Sequence, residues 1–96
     1  MVRKLALCGA ALFVAAGTAQ AAGARARTLH DTYCVMCHDT RVYTRKERVA
    51  NDYPGIRAQV ARWQGNVMLN WSDADIDLVA SYLAEQYYKV PCPVSC

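Results

Sequence analysis

Apolar residues recur with helical spacing in three parts of the chain, and no part has the strict alternation of an amphipathic strand. The first part covers about residues 25–38 and carries Leu29, Tyr33 and Met36 near one face. The second begins around Pro54, a residue suited to the first turn of a helix. Its apolar positions follow at intervals of four, three and four residues: Ile56, Val60, Trp63 and Val67. The pattern predicts a helix in each part and places the Trp63 side chain in the core.

The third part has the clearest helical signals. Ser72 can cap the N-terminus, and the aspartates that follow it put negative charge where the helix dipole favours it. A continuous apolar face comes next, formed by Ile76, Val79, Ala80, Leu83 and Tyr87. Pro91 ends the helix by about Val90. Residues 39–53, between the first two helices, are polar, and we interpret them as a loop. The pattern predicts an all-α domain.

The first 21 residues have the composition of an export signal. A basic start with Arg3 and Lys4 precedes an apolar stretch, and Ala19-Gln20-Ala21 is a small-x-small cleavage site. A membrane anchor is the alternative, but the apolar stretch is shorter than the ~20 residues that cross a bilayer. We expect cleavage near residues 21/22 and a domain of residues 22–96 with a short Cys/Pro tail at 91–96. This domain is expected in a bacterial periplasm, without a permanent membrane anchor.

Charge and size restrict the function of residues 22–96. They contain nine Lys and Arg against eight Asp and Glu, so their formal net charge is only +1. That balance argues against a nucleic-acid binder driven by positive charge, and the size rules out a large enzyme. A domain of about 75 residues also buries little apolar surface, so a cofactor, a metal or disulfides usually help to hold it together.

The strongest chemical signal is Cys34-Val35-Met36-Cys37-His38, which has the C-x-x-C-H spacing of a c-type haem attachment site. Two cysteines three residues apart lie on one side of a helical turn, so both sulfurs can bond to the vinyl groups of one porphyrin. The imidazole of His38 can then lie under the iron as the proximal ligand. A C-x-x-C redox pair of the thioredoxin type needs a βαβ pattern, and a zinc site needs further ligands, of which the chain has few. We therefore expect one covalent haem c.

With this motif the chain resembles the class I cytochrome c family. The resemblance covers a helix that leads into the motif, a variable loop, and a closing helix at residues 72–88 with a Ser-Asp-x-Asp-Ile start. It implies a cytochrome c-like bundle of about three helices around one covalently attached haem, with the first and last helices crossing beside it. It also implies that Tyr33 and Met36 meet Leu83 and its neighbours in the last helix.

The resemblance further implies a methionine on the distal side of the haem, just before the last helix. Met68 is in that region, whereas Met36 lies inside the attachment turn, on the proximal side. The alternative is that Met68 is only a core residue. In that case the iron is five-coordinate, or weakly ligated by Gln64 or Asn66.

The distal ligand decides which function is expected. A methionine ligand suits rapid electron transfer, because the iron stays six-coordinate in both oxidation states. The expectation is then an electron carrier rather than an enzyme, either free or as the small haem subunit of a periplasmic dehydrogenase or reductase. An open distal site would instead bind a small ligand such as nitric oxide, or react with peroxide. A further alternative is a small interaction module in which haem mainly stabilises the fold.

Several residues outside the motif are candidates for contacts with haem or with the redox partner. Trp63 is a candidate wall of the haem pocket, and the N–H of Trp71 can reach a haem propionate. The basic residues after the motif are candidates to pair with a propionate, Arg41 above all, or to attract an acidic partner. They are Arg41, Arg45, Lys46 and Arg48.

Two cysteines remain once the haem pair and Cys8 in the signal are set aside. Cys92 and Cys96 are an even pair in a compartment that is expected to be oxidising. We expect a disulfide that closes a small loop in the tail. The alternative is a link to a partner chain or a redox role.

Overall fold

A computed structural model describes residues 8–92 of the chain, with side chains from residue 21 onward. These residues contain four α-helices and no β-strand. The helices are α1 Cys8–Tyr33, α2 Arg41–Thr44, α3 Tyr53–Asn66 and α4 Asp73–Leu83. A π-helical segment, Ala84–Tyr88, continues α4 directly. The all-α prediction is therefore confirmed for these residues, with four helices where about three were expected.

The first helix extends further back along the chain than predicted and ends earlier. It stops at Tyr33, and residues 34–37 form a turn, so the predicted continuation to His38 is wrong. Of the predicted signal segment, residues 1–7 lie outside the described part, and Cys8 onward belongs to α1. Within the described range, no helix combines the length and the apolar character needed to span a membrane. Cleavage near residue 21 remains a prediction.

Side-chain caps start both α3 and α4. The Asp52 carboxylate accepts a hydrogen bond from the N–H of Gly55 at 2.8 Å, and Pro54 lies in the first turn of α3 as predicted. The Ser72 hydroxyl accepts from the N–H of Asp75 at 3.1 Å, which confirms the predicted cap of α4. Each cap gives a partner to a backbone donor that the helix itself leaves unpaired. The Ser72 cap was predicted from the sequence, and the Asp52 cap was not.

The buried core joins α3, α4, the π-helical segment and the region around α2. Its members are Tyr43, Ala50, Ile56, Val60, Ile76, Val79, Ala80, Leu83, Ala84 and Tyr88. The predicted apolar face of the last helix is therefore confirmed from Ile76 to Leu83. Trp63 and Val67 are 56% and 52% exposed, so their predicted places in the core are wrong.

Both α1 and α3 pack against α4. On one side Arg25 of α1 pairs with Asp75 at 2.7 Å, next to the buried Ala26. On the other side Arg57 of α3 pairs with Asp77 at 2.5 Å. The expected packing of the first helix against the last is confirmed. The expected packing of Met36 against the last helix is wrong, because its side chain is 79% exposed, whereas the ring of Tyr33 contacts Trp71 just before that helix.

Arg48 attaches the segment after the motif to the C-terminal end of the core. Residues 41–44 form α2, so the prediction of a continuous loop over residues 39–53 is wrong there. The Arg48 guanidinium donates to the carbonyl of Tyr43 at 3.1 Å and to that of Tyr88 at 3.3 Å, and lies 4.9 Å from the centre of the Tyr88 ring. Arg48 is therefore engaged inside the fold, which argues against its predicted role in attracting a partner.

The π-helical segment brings two consecutive tyrosines to the core. Tyr88 is buried, and the Tyr87 ring lies 5.4 Å from the ring of Tyr43. The wider turn of a π-helix changes the angle between successive side chains, and such segments are frequent at functional sites. Lys89 ends the segment in the left-handed conformation, with a φ of 56°. Tyr88 belongs to the core, and Tyr87 packs against it, as its place on the predicted apolar face implies.

Candidate functional site

The C-x-x-C-H motif occupies the turn that follows α1. The N–H of Cys34 donates to the carbonyl of His30 at 2.8 Å, and the chain then leaves the helix. Cys34 is half-buried, Cys37 is exposed, and neither takes part in a disulfide. Burial raises the pKa of the Cys34 thiol, and the nearby Asp31 carboxylate raises it further. The turn thus presents two thiols at the surface, at the spacing that covalent haem attachment needs.

The imidazole of His38 is held in the tautomer that can bind a metal. Its Nδ1 lies 2.8 Å from the carbonyl oxygen of Asp39. Because a carbonyl oxygen only accepts, Nδ1 carries the proton and Nε2 keeps its lone pair. The ring of Tyr43 stands perpendicular to the imidazole, with the two centroids 5.5 Å apart. A hydrogen bond of this kind fixes the orientation and raises the basicity of a metal-binding histidine.

Arg41 folds back on Asp39 and closes the loop after His38. The Asp39 carboxylate accepts from the backbone N–H of Arg41 at 2.9 Å and from its Nε at 2.8 Å, and pairs with its Nη2 at 2.6 Å. These hydrogen bonds lower the pKa of Asp39. A haem propionate would have to compete with this carboxylate for Arg41, the predicted propionate partner.

Two segments, one in and before the motif and one at the end of α3, expose large apolar side chains, which we call the exposed apolar surface. Its members are Tyr33, Val35, Met36, Trp63, Val67 and Met68. Met36 is 79% exposed and Met68 is 87% exposed. The ring of Tyr33 lies edge-on to that of Trp71, which follows the second segment, with centroids 6.1 Å apart. Large apolar side chains that remain exposed are available to bind an apolar group.

Gln64 connects the end of α3 to the start of the last helix. Its side-chain carbonyl accepts from the backbone N–H of Trp71 at 2.9 Å, and its NH₂ group donates to the carbonyl of Ala61 at 3.3 Å. Trp71 packs half-buried against the core, whereas Trp63 is exposed, with the guanidinium of Arg62 5.5 Å from its ring centre. Because both ends of the Gln64 amide are used, Gln64 is a poor candidate for a weak iron ligand.

Met68 has an unfavourable backbone conformation for a methionine. The N–H of Met68 donates to the carbonyl of Gly65 at 3.1 Å, and the N–H of Leu69 donates to that of Gln64 at 3.0 Å. These two bonds form a Schellman motif, in which the left-handed residue is usually glycine. Here it is Met68, with a φ of 56°. Its exposure shows that the alternative of a core residue is wrong.

His30 is the one buried polar residue among the described side chains, and the sequence analysis gave it no role. Its Nδ1 lies 3.0 Å from an Asp31 carboxylate oxygen, and its Nε2 lies 2.9 Å from the Tyr43 hydroxyl. The rings of Tyr43, Tyr82 and Tyr87 surround it at 5.5–5.6 Å. Burial lowers the pKa of His30, and the hydrogen bond to Asp31 opposes part of that shift. Its place four residues after Ala26, on the face that packs against α4, was the signal that could have found it.

The remaining predicted site residues are the two cysteines of the tail. Cys92 is disulfide-bonded. Cys96 lies outside the described residues, so the pairing of these two cysteines remains a prediction. Among the described side chains, no group of three or more His, Cys, Asp or Glu residues lies together in a way that could hold a metal ion.

Comparison of the chain with protein-family models, with curated proteins and with solved structures finds no match. The resemblance to class I cytochromes c therefore has the attachment motif and the helix pattern as its support.

Proposed function

We propose that this chain binds one haem covalently through Cys34 and Cys37 and acts as an electron carrier. The observation that carries the proposal is the turn after α1, which presents two thiols and a His38 imidazole with an unprotonated Nε2, with Val35 and Met36 exposed among them. A flat apolar macrocycle held by the two cysteines would cover exposed apolar side chains. Removing this apolar area from water is favourable. When bound, haem supplies an iron that exchanges single electrons between the ferrous and ferric states.

The residues of the turn have separate tasks in this proposal. The sulfurs of Cys34 and Cys37 form the two thioether bonds, and Nε2 of His38 binds the iron. The carbonyl of Asp39 holds the proton on Nδ1 of His38, so the imidazole is ready to bind without a change of tautomer. Trp63, which is exposed at the end of α3, would contribute apolar surface to the haem pocket.

Haem attachment is tested on the exported, purified protein. The expected results are a pyridine haemochrome spectrum of the c type and an intact mass that includes one haem. The double variant Cys34→Ala/Cys37→Ala loses both signals, because no thioether bond can form. The matched control Cys92→Ala keeps the haem, since Cys92 lies outside the motif. A wild-type protein without haem, or with haem that acidic acetone extracts, contradicts the proposal.

We also propose Met68 as the distal iron ligand. Its thioether is exposed, and its backbone holds a strained conformation that glycine would adopt without cost. Strained positions persist where a particular side chain is required. A thioether ligand favours ferrous iron and keeps the site closed during electron transfer.

The variant Met68→Leu tests the distal ligand, because it removes the sulfur and keeps the apolar bulk. The oxidised variant is expected to lose the far-red charge-transfer band between sulfur and iron, and the reduced variant is expected to bind carbon monoxide readily. Met36→Leu is the matched control, since Met36 is similarly exposed and belongs to the attachment turn. If the wild type lacks the band and binds carbon monoxide, the distal site is open. The protein is then a candidate for binding nitric oxide or reacting with peroxide.

The cellular location and the redox partner belong to the same proposal. Export by residues 1–21 takes the chain to the periplasm, where a larger dehydrogenase or reductase subunit is the expected redox partner. Arg45 and Lys46 are exposed in the loop after α2 and are the basic side chains best placed to attract an acidic partner.

A further inference from the structure

Tyr43, His30 and Asp31 form a continuous line of hydrogen bonds from the core to the surface. The Tyr43 hydroxyl lies 2.9 Å from Nε2 of His30, and Nδ1 of His30 lies 3.0 Å from the Asp31 carboxylate. The carboxylate of Asp31 only accepts, so Nδ1 carries the proton of the neutral imidazole. Nε2 is therefore the acceptor, and the Tyr43 hydroxyl donates to it.

In this arrangement the buried Tyr43 phenol has a proton acceptor, Nε2 of His30, within hydrogen-bond distance. His30 is fully buried, Tyr43 is nearly so, and both are packed among tyrosine rings rather than water. Burial raises the pKa of Tyr43, so the phenol keeps its proton for as long as it keeps its electrons. Loss of an electron turns a phenol into a strong acid, and its proton must then go to the nearest acceptor. The nearest acceptor in this structure is Nε2 of His30.

We propose that Tyr43 is a redox-active tyrosine whose one-electron oxidation is coupled to proton transfer to His30. The oxidant is a one-electron acceptor strong enough to oxidise a phenol, such as a ruthenium(III) polypyridyl complex. In the step, Tyr43 gives one electron to the oxidant, its O–H bond breaks, and the proton forms an N–H bond at Nε2 of His30. The products are the reduced oxidant, a neutral phenoxyl radical and an imidazolium ion that the Asp31 carboxylate stabilises. A reductant reverses the step by returning the electron, and the proton moves back.

The charged groups around the pair favour this direction of proton transfer. Asp31 faces His30 from the same helix, and its carboxylate stabilises the imidazolium. Arg48 binds the backbone carbonyl of Tyr43 rather than its hydroxyl, so it places no donor at the phenol oxygen. At the surface, Nε of Arg27 lies 3.5 Å from Oδ2 of Asp31.

Tyrosine rings lead from this site in two directions. The Tyr43 ring lies 5.5 Å from that of His38 and 5.4 Å from that of Tyr87, which in turn lies 6.1 Å from Tyr82. The link to His38 rests on the proposed function. If haem iron is bound at His38, Tyr43 can supply an electron to it through the His38 ring. The oxidation of Tyr43 itself does not depend on haem.

The test oxidises the purified, full exported protein in its oxidised form. Light and a cobalt(III) acceptor convert tris(bipyridine)ruthenium(II) to the ruthenium(III) oxidant, and samples are frozen for EPR. A tyrosyl radical is expected in the wild type and is mostly lost in Tyr43→Phe. Tyr53→Phe is the matched control, because the Tyr53 hydroxyl has a carboxylate acceptor, Asp77 at 3.2 Å, and lies at the surface. This control keeps the wild-type signal.

The coupling to a proton is measured on the wild type, so it does not depend on how a variant folds. Radical formation is expected to be slower in D₂O than in H₂O, because the O–H bond breaks as the electron leaves. A wild-type signal in Tyr43→Phe overturns the assignment to Tyr43, and equal rates in H₂O and D₂O overturn the transfer to His30. Haem content is measured on the same samples. A Tyr43 radical in protein without haem supports this inference while contradicting the proposed function, so the two failures are distinguishable.

Discussion

At the scale of single residues, Met68 conflicts with the local preference of its own turn. The three non-glycine residues with positive φ in the described chain are Met68, Asn70 and Lys89. Asparagine tolerates the left-handed region because its side chain can hydrogen-bond locally, whereas methionine gains nothing there. Natural sequences depart from local rules mainly at functional sites. The conflict at Met68 is therefore expected if its thioether has a task that glycine cannot perform.

Replacing Met68 with glycine should relieve this backbone strain. If haem binds as proposed, exogenous imidazole can take the distal position, so that neither the wild type nor the variant has an iron–sulfur bond. Under that condition Met68→Gly is expected to raise the free energy of unfolding by about 1 kcal/mol, measured with urea. The control Asn70→Gly should raise it by clearly less, since asparagine already suits its φ of 57°. A lower stability of Met68→Gly would contradict the strain.

At the scale of the elements, the site depends on two turns that other elements hold in place. The turn after α1 presents the attachment motif, and the turn after α3 presents Met68. Trp71 joins the two turns, because its ring contacts Tyr33 and its backbone N–H donates to Gln64. The opposite side of the motif is held by Tyr43, whose helix α2 is attached to the π-helical segment by Arg48.

Removing the Arg48 guanidinium should loosen this attachment. Arg48→Met keeps an apolar stem and leaves the carbonyls of Tyr43 and Tyr88 without their shared donor. Loss of hydrogen bonds from a charged donor in a partly buried place costs about 1–3 kcal/mol of unfolding free energy. The control Arg45→Met, at an exposed position in the same loop, should leave stability nearly unchanged. Equal effects in the two variants would show that Arg48 acts only through its charge.

The sequence predicts those elements whose signals are local. Ser72 and the spacing from Ile76 to Leu83 determine α4 within one segment, and Pro54 marks the start of α3 in the same way. The end of α1 has no glycine or proline to mark it, and α2 is too short to have a period. Helical spacing also cannot tell whether another element covers a residue, which is why Trp63 was placed in the core and is exposed.

The same distinction separates the predictable and unpredictable parts of the site. Cys34, Cys37 and His38 follow from a motif that is local in sequence. The roles of His30 and Arg48 depend on partners 13 and 40 residues away, so the chain alone does not reveal them. The strain at Met68 was also invisible, because it follows from how α3 ends rather than from the residue type.

At the scale of the whole molecule, a neutral histidine in the core links stability to pH. The folded state lowers the pKa of His30 below its ordinary value of 6.5, mainly because burial penalises the charged ring. Below that pH the unfolded chain therefore binds more protons at this residue than the folded protein does. Protonation then favours unfolding, so stability falls as the pH decreases.

The expected result is a urea midpoint that is constant from pH 8 to about pH 7 and decreases between about pH 6.5 and pH 5. Asp39 and Asp75, whose pKa values are lowered by Arg41 and Arg25, contribute a further loss at more acidic pH. His30→Gln should remove the decrease in the first interval and leave the second. A midpoint that rises between pH 6.5 and pH 5 would contradict the buried neutral state of His30.

The packing of α1 against α4 has a consequence for the order in which the chain folds. The ion pair between Arg25 and Asp75 joins residues 50 positions apart, and its second member comes from the last quarter of the chain. A ribosome releases Cys34 and Cys37 well before it releases that partner. The turn at residues 34–37 therefore emerges while the first helix still has nothing to pack against, and the emergence of α4 closes the fold.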